Sequence, residues 1–161
     1  MQYLHSRKTL SMEEQHIVRR HINIDASPTE VWSALTDPAK TREYFFHCAV
    51  NSDWEVGSSI SFRGRVFLLK KIELTGTILD IEPGRFLKYT LHNDDDYREP
   101  SFSTITISLA TGNDGVKVSV TDDVGKGPGS EDRYERSALG WEKVLKGLKE
   151  LVEENQPSSV Q

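Results

Sequence analysis

Aromatic side chains concentrate around the segment SDWEVG at 52–57, and two more, Tyr134 and Trp141, lie in the C-terminal stretch. Small-molecule pockets are lined mainly by apolar and aromatic side chains, which offer a large contact area. The candidate ligand-binding residues are Tyr44, Phe46, Trp54, Phe62, Tyr89, Tyr134, Trp141 and Leu145. The alternative that these side chains only fill a core stays open, because burying one aromatic ring contributes about 1.5–3 kcal/mol by itself.

A few polar side chains could act on a ligand in such a pocket, by orienting a carboxylate or by transferring a proton. They are Arg63, Arg65, Tyr89 and His92. If Phe62 points inward, strand alternation turns Arg63 outward, and the direction of Arg65 depends on whether Gly64 shifts the register.

The sequence lacks the motifs of several other chemistries. The segment Gly125–Ser130 contains no GxxxxGK[ST] loop, and Glu131 and Asp132 would repel a phosphate at the following helix start. The five histidines show no HxxxH or HExxH spacing, and Asp94–Asp96 lacks the alternation of a calcium loop. Neither a Gly-x-Ser-x-Gly elbow nor a catalytic context around Cys48 is present. We therefore expect no cofactor, no metal ion and no catalytic nucleophile.

Composition narrows the class of protein further. The chain has 161 residues, with 20 Lys and Arg against 25 Asp and Glu, and a formal net charge of −5. This balance argues against a nucleic-acid partner. The longest apolar run is Val66–Leu69, which is too short for membrane insertion. The single Cys48 fits a reducing compartment, so the sequence predicts a cytoplasmic protein. For the oligomeric state, a monomer and a homodimer both stay open.

Hydrophobic alternation and turn signals predict one strand, two short helices and then six more strands. The first strand begins at His16, and the Ser27-Pro28-Thr29-Glu30 capping box starts a helix. Asp37-Pro38 repeats the cap-plus-proline signal for a second helix. The further strands are predicted at 47–50, 58–64, 70–82, 85–92, 101–110 and 115–122.

The pattern of apolar residues also predicts which side chains point inward. These are Val18, Ile22, Ile60, Phe62, Leu87, Tyr89, Ile105, Ile107, Val118 and Val120. At Gly76 the apolar face changes, from Ile72 and Leu74 before it to Leu79 and Ile81 after it. This change predicts a β-bulge at Gly76.

The last element is a long amphipathic helix capped by Ser130. Its apolar residues are spaced 4-3-4-3-4, at Tyr134, Ala138, Trp141, Leu145, Leu148 and Val152. The opposite, solvent-facing side carries Arg133, Arg136, Lys143, Lys146, Lys149 and Glu150. Gly140 and Gly147 each cost about 0.5–1 kcal/mol relative to Ala, which indicates either space beside the helix or close packing against it.

One curved antiparallel sheet must then pack its apolar face on the C-terminal helix, an α+β architecture. Several segments occur in the order known from one family: VWSALTDP, YFF, SDWEVGSSISF, GTILDIEPGRFLKYT, the strand Ser103–Leu109 and GWEKVLKGLKELVE. On these segments, residues 16–153 resemble the START-like helix-grip (SRPBCC) superfamily, in the branch of homologues of the heat-shock-chaperone ATPase activator. The expected organisation is a leader at 1–15, one helix-grip domain at 16–154 and a polar tail at 155–161.

The resemblance implies an apolar cavity between sheet and helix, with the two short helices near its mouth. Members of the superfamily bind lipids or hormones, catalyse cyclisations or assist a chaperone, so the fold leaves the function open. The first hypothesis is a domain that binds an apolar or amphipathic small molecule without catalysis. The alternatives are a co-chaperone that stimulates a chaperone ATPase, and an enzyme of the cyclase or hydratase type.

Overall fold

The computed structural model describes residues 16–66, 70–93 and 101–155. They form seven strands: β1 Ile17–Ile24, β2 Cys48–Ser52, β3 Ser59–Val66, β4 Lys70–Glu82, β5 Phe86–Asn93, β6 Ser101–Gly112 and β7 Gly115–Asp123. The helices are α1 Pro28–Thr36, α2 Pro38–Tyr44 and α3 Ser130–Glu154. The predicted leader at 1–15, the segment Asp94–Asp96 and residues 156–161 of the predicted tail lie outside the described residues.

All seven strands belong to one sheet in the order β1-β7-β6-β5-β4-β3-β2, and every neighbouring pair is antiparallel. Helix α3 packs on the inner face of this sheet, where Trp141, Leu145 and Leu148 join the core. The predicted α+β helix-grip fold is confirmed. Of the side chains predicted to point inward, all are buried except Ile22, which packs against the core while partly exposed.

The two short helices begin where the sequence predicts. The Ser27 hydroxyl accepts a hydrogen bond from the Glu30 amide at 3.2 Å, and the Asp37 carboxylate accepts one from the Ala39 amide at 2.9 Å. Each cap satisfies a backbone donor that the first helical turn leaves unpaired. The two helices together connect β1 to β2, which are the opposite edge strands of the sheet.

The predicted bulge lies three residues further along than Gly76. The register between β4 and β5 shifts between Ile78 and Asp80, so Leu79 is the extra residue, and its side chain is 43% exposed rather than inward. Gly76 serves another purpose, since a Cβ atom there would collide with the carbonyl oxygen of Thr90. The glycine is required for close approach of two backbones.

The start of α3 also differs from the prediction. The N-cap residue is Gly129, with φ at 80°, and no side chain caps the helix. Glycine adopts this left-handed conformation without the steric cost that other residues incur. Ser130 is instead the first residue of the helix itself.

Candidate ligand-binding cavity

A cavity of about 260 Å³ lies between the first turns of α3 and the inner face of β4 to β7. This volume corresponds to about nine water molecules. Its apolar wall is formed by Phe45, Phe46, Leu74, Leu91, Ile105, Val124, Gly140, Trp141 and Val144. Its polar groups are His92, Ser103, Asp122, Arg133, Arg136 and Ser137. An apolar wall with a few convergent polar groups is the usual composition of a small-molecule site.

Asp122 is the buried acidic group of this cavity, with only 4% of its surface exposed. Its Oδ2 accepts hydrogen bonds from the Ser137 hydroxyl at 2.7 Å and from the Trp141 indole nitrogen at 3.0 Å. Among the described residues, its Oδ1 has no hydrogen-bond partner. The carboxylate is thus held in a fixed orientation by one oxygen while the other remains available.

Burial raises the pKa of the Asp122 carboxyl, because removal from water disfavours the charged form. Hydrogen bonds from Ser137 and Trp141 oppose this rise, as does the nearby Ser103 hydroxyl, and the charge of Asp123 adds to it. The carboxyl therefore takes up a proton more readily than an exposed aspartate does.

The sequence carries a signal for Asp122, although this residue is not among those predicted to form a site. Alternate residues of β7 point inward, and these are Val116, Val118, Val120 and Asp122, all of them buried. A carboxylate in a row of valines breaks the apolar pattern of an inward face. Buried ionisable groups of this kind concentrate at functional sites.

Arg133 and Arg136 stand at the same end of α3, and the prediction that both face solvent is wrong for Arg133. That side chain is half-buried, and its guanidinium donates to the carbonyl oxygens of Val124 at 2.8 Å, Pro128 at 2.9 Å and Gly125 at 3.3 Å. It ties the segment between β7 and α3 to the helix. Arg136 is exposed, as predicted, but it also lines the rim of the cavity.

Phe46 lies at the mouth of the cavity, with 44% of its surface exposed. It and His47 have positive φ angles of 50° and 60°, which are uncommon for residues other than glycine and cost of order 1–3 kcal/mol. A Cβ atom at Gly140 would lie 3.4 Å from Phe46 Cζ, so the ring packs directly over this glycine. The strained turn after α2 thus places an aromatic ring at the opening.

A tightly packed aromatic cluster lies deeper, beside the cavity. Phe45 stacks on Phe62 with ring centroids 4.5 Å apart and meets Trp141 edge-on at 6.1 Å, and Tyr89 lies 6.1 Å from Phe62. The void left among these rings is about 20 Å³, which is room for about one water molecule. This part of the molecule is a filled core rather than open space.

The residues predicted to bind a ligand divide between these two places. Phe46 and Trp141 line the cavity, whereas Tyr44, Trp54, Phe62 and Tyr89 surround the small void, which Trp141 also touches. Within the described part of the chain, Tyr134 and Leu145 line neither space. Leu145 is a buried core residue and Tyr134 is half-exposed on α3.

The polar candidates divide in the same way. His92 is half-buried and lines the cavity. Tyr89 is buried beside the small void, and burial together with the charge of Asp122 raises its pKa. Arg63 faces outward as predicted and forms an ion pair with Glu73 at 3.2 Å, and Arg65 is exposed.

Two other features are absent from the described ranges. No group of three or more His, Cys, Asp or Glu side chains is arranged there to hold a metal ion. None of the helices that the structure describes combines the length and the apolar character that crossing a membrane requires.

A curved sheet that encloses a C-terminal helix, with a cavity between them, defines the START-like helix-grip class of protein. Comparison with protein-family models then identifies the branch, since residues 25–153 match the family described as activator of Hsp90 ATPase homolog 1-like protein. The chain belongs to this family, as the sequence resemblance predicted. Among curated proteins, none gives a significant match.

Solved structures show the same fold across nearly the whole chain. The solution structure of ChR145 from Cytophaga hutchinsonii is 31% identical, with a TM-score of 0.66, and the alignment covers 86% of this chain and 94% of that one. Protein CV1439 from Chromobacterium violaceum is 27% identical, with a TM-score of 0.71 and coverages of 86% and 97%. Protein MLL2253 from Mesorhizobium loti, at 21% identity, has a TM-score of 0.72 and coverages of 88% and 99%. At that last identity the likeness concerns the fold alone.

Proposed function

We propose that this protein binds a small amphipathic molecule in the cavity between the sheet and α3. The observation that carries the proposal is a 260 Å³ cavity whose wall is mainly apolar and which contains a buried carboxylate oxygen without a partner among the described residues. An unpaired buried acceptor costs about 1–3 kcal/mol, more if it is charged. A ligand that covers the apolar wall removes apolar surface from water, and a donor group on it that reaches this oxygen removes the cost of the unpaired acceptor.

The mouth of the cavity supports the same function. Phe46 is exposed there although it is aromatic, and it rests on Gly140, a position without a side chain. To admit a ligand, this ring must give up its edge contact with Phe45, at a centroid distance of 5.5 Å, and its contact with Gly140, whereas no fully buried side chain has to move. The ligand therefore has a path to the interior that leaves the core cluster around Phe62 intact.

The test uses 1-naphthol, a probe with an apolar body and one hydroxyl, in isothermal titration calorimetry with the full chain. We expect one site per chain. Gly140→Leu places a branched side chain at the cavity mouth and is expected to weaken binding at least about tenfold, which corresponds to 1.4 kcal/mol. Lys146→Leu is the matched control, because it adds the same side chain at an exposed position of the same helix. Absence of binding, or equal binding by both variants, would remove the proposal.

A second candidate, activation of a chaperone ATPase, is suggested by the family description that residues 25–153 match. It would act through the protein surface and would not require the cavity. ATP hydrolysis by purified Hsp90 should then rise on addition of the wild-type chain and of Gly140→Leu alike. No increase at saturating concentration would eliminate this candidate.

A further inference from the structure

We infer that the cavity is polarised and selects a ligand with a hydroxyl group at its inner end and an anionic group at its outer end, joined by an apolar body. The inference rests on the proposed function and specifies the ligand class for the same site. It follows from the positions of Asp122, at the inner wall, and Arg136, at the rim.

The inner end is defined by how Asp122 is held. Ser137 and Trp141 both donate to Oδ2, and their short distances of 2.7 and 3.0 Å fix the plane of the carboxylate. Oδ1 is buried, belongs to a cavity-lining residue and has no partner in the described part of the chain. A ligand group that meets it must donate a hydrogen bond when the carboxylate is ionised.

A hydroxyl satisfies this requirement in either protonation state of Asp122. It donates to the carboxylate, and it accepts from the carboxylic acid if the group is protonated. This property matters because burial raises the pKa of Asp122, so that the group takes up a proton more readily than an exposed aspartate does. Ether oxygens, by contrast, only accept and would meet the ionised oxygen unfavourably.

The outer end is defined by Arg136. Arg133, on the preceding turn of α3, donates to three backbone carbonyl oxygens and holds the turn before the helix. Arg136 is exposed, and its Nε makes a long bond of 3.4 Å to the carbonyl oxygen of Asp132 in the same helix. Apart from Asp122, the cavity lining contains no carboxylate among the described residues. A carboxylate on the ligand would therefore find a guanidinium suited to bind it.

The probe that combines these features is 3-(4-hydroxyphenyl)propanoate. Its benzene ring carries a phenolic hydroxyl at one end and a carboxylate chain at the other. Two relatives each change one end: 3-(4-methoxyphenyl)propanoate cannot donate at the inner end, and 4-(3-hydroxypropyl)phenol has no charge at the outer end. Binding of all three to the full chain is measured by calorimetry at pH 7. We expect the wild type to prefer the hydroxyl probe to the methoxy probe by about tenfold, as one hydrogen bond to a charged group would give.

Two substitutions separate the ends. Asp122→Asn keeps the shape of the side chain, and its amide oxygen must accept from Ser137 and Trp141, so that its NH₂ group replaces Oδ1. The preference for hydroxyl over methoxy should then fall to about one or reverse. Arg136→Gln should weaken both carboxylate probes several-fold and leave 4-(3-hydroxypropyl)phenol unchanged. Asp114→Asn and Arg19→Gln, at exposed positions outside the cavity, are the matched controls.

The outcomes distinguish this inference from the function on which it rests. A wild-type ratio of one or below overturns the inner-end assignment whether or not Asp122→Asn folds, and an unchanged ratio in folded Asp122→Asn does so as well. The outer-end assignment is overturned if Arg136→Gln weakens the binding of the charged and uncharged probes equally, or weakens neither. If 1-naphthol binds in a manner that Gly140→Leu abolishes while none of the three probes binds, the inference fails and the proposed function stands. If 1-naphthol does not bind either, both fail.

Discussion

Asp122 points inward from β7. The three inward positions before it on the same strand are all valines. A valine there would bury apolar surface at no electrostatic cost, whereas a carboxylate loses hydration that its two hydrogen bonds only partly replace. Stability alone therefore does not explain this residue. Its partners Ser137 and Trp141 come from α3, so a single side chain joins the sheet, the helix and the cavity.

The raised pKa of Asp122 predicts a specific pH dependence of stability. Because the folded state holds the proton more tightly than the unfolded state does, this contribution is fully present below the ordinary Asp pKa of about 4 and is lost as the pH rises through the folded-state pKa. The Asp122→Asn variant lacks this pH-dependent contribution, because an amide does not titrate. The free energy of unfolding of Asp122→Asn relative to the wild type should therefore be more favourable at pH 7 than at pH 4, as measured by urea unfolding.

Other charged groups near Asp122 are the same in both proteins, so their contributions largely cancel in this difference. They are Asp123 on β7, His92 on β5, and Arg133 and Arg136 on α3. Asp114→Asn, at an exposed turn position, should show no comparable change between the two pH values. A relative stability of Asp122→Asn that falls from pH 4 to pH 7 would contradict the account.

At the scale of elements, the two glycines of α3 turn out to have different surroundings. A Cβ atom at Gly147 would lie 2.8 Å from Tyr44 Cβ, and Tyr44 is fixed because its hydroxyl donates to the Ala34 carbonyl oxygen at 2.6 Å. A Cβ atom at Gly140 would meet only the edge of the exposed Phe46 ring, at 3.4 Å. A side chain at position 147 is therefore excluded by close packing against Tyr44. Position 140 has room for one, because it lies at the cavity mouth.

Alanine substitution should therefore separate the two positions. Both changes gain about 0.8–1 kcal/mol of helix propensity. Gly147→Ala must also displace Tyr44 at a cost of about 1–3 kcal/mol, so we expect a net loss of about 1 kcal/mol. Gly140→Ala should be neutral or stabilising by up to about 1 kcal/mol. Urea unfolding of the two variants measures this, and equal effects at both positions would show that the contacts around α3 are different from those described.

Arg133 gives the connector between β7 and α3 its order, since its guanidinium contacts carbonyl oxygens on both sides of that turn. Arg133→Leu should destabilise the protein by about 1–3 kcal/mol and accelerate amide hydrogen exchange at 125–130. Arg136→Leu, three residues along the helix, is the control and should leave that exchange unchanged. Unaltered exchange in Arg133→Leu would mean that the glycine-rich turn is held by its backbone alone.

The elements themselves were largely predictable, and the exceptions have local causes. Two-residue alternation marks a half-buried strand wherever one face is apolar, and the caps at Ser27 and Asp37 have definite side-chain chemistry. The sequence predicts the bulge at Gly76 because glycine is the usual signal, yet the register shifts at Leu79. The sequence predicts Ser130 as the cap because its hydroxyl can accept a hydrogen bond, whereas the cap is Gly129, whose positive φ leaves no trace in the side-chain pattern.

At the scale of the whole molecule, the sequence predicted a sheet around a helix but not where space remains between them. Periodicity tells which side chains face inward, and Phe62, Tyr89 and Trp141 do so. Whether inward side chains fill the interior depends on their summed volumes and on the curvature of the sheet, which periodicity does not contain. The predicted aromatic pocket is mostly filled, and the larger space lies beside it, at Asp122.

The Trp141 indole N–H group tests the central claim most directly, because it donates to Asp122 and lines the cavity. Trp32 and Trp54 supply internal references, since neither lines this cavity in the described structure. In a titration of the ¹⁵N-labelled full chain with 1-naphthol, the Trp141 indole resonance should shift with a saturating curve and by more than the other two. Saturable binding that leaves the Trp141 resonance in place would contradict the account, since the ligand would then be bound elsewhere.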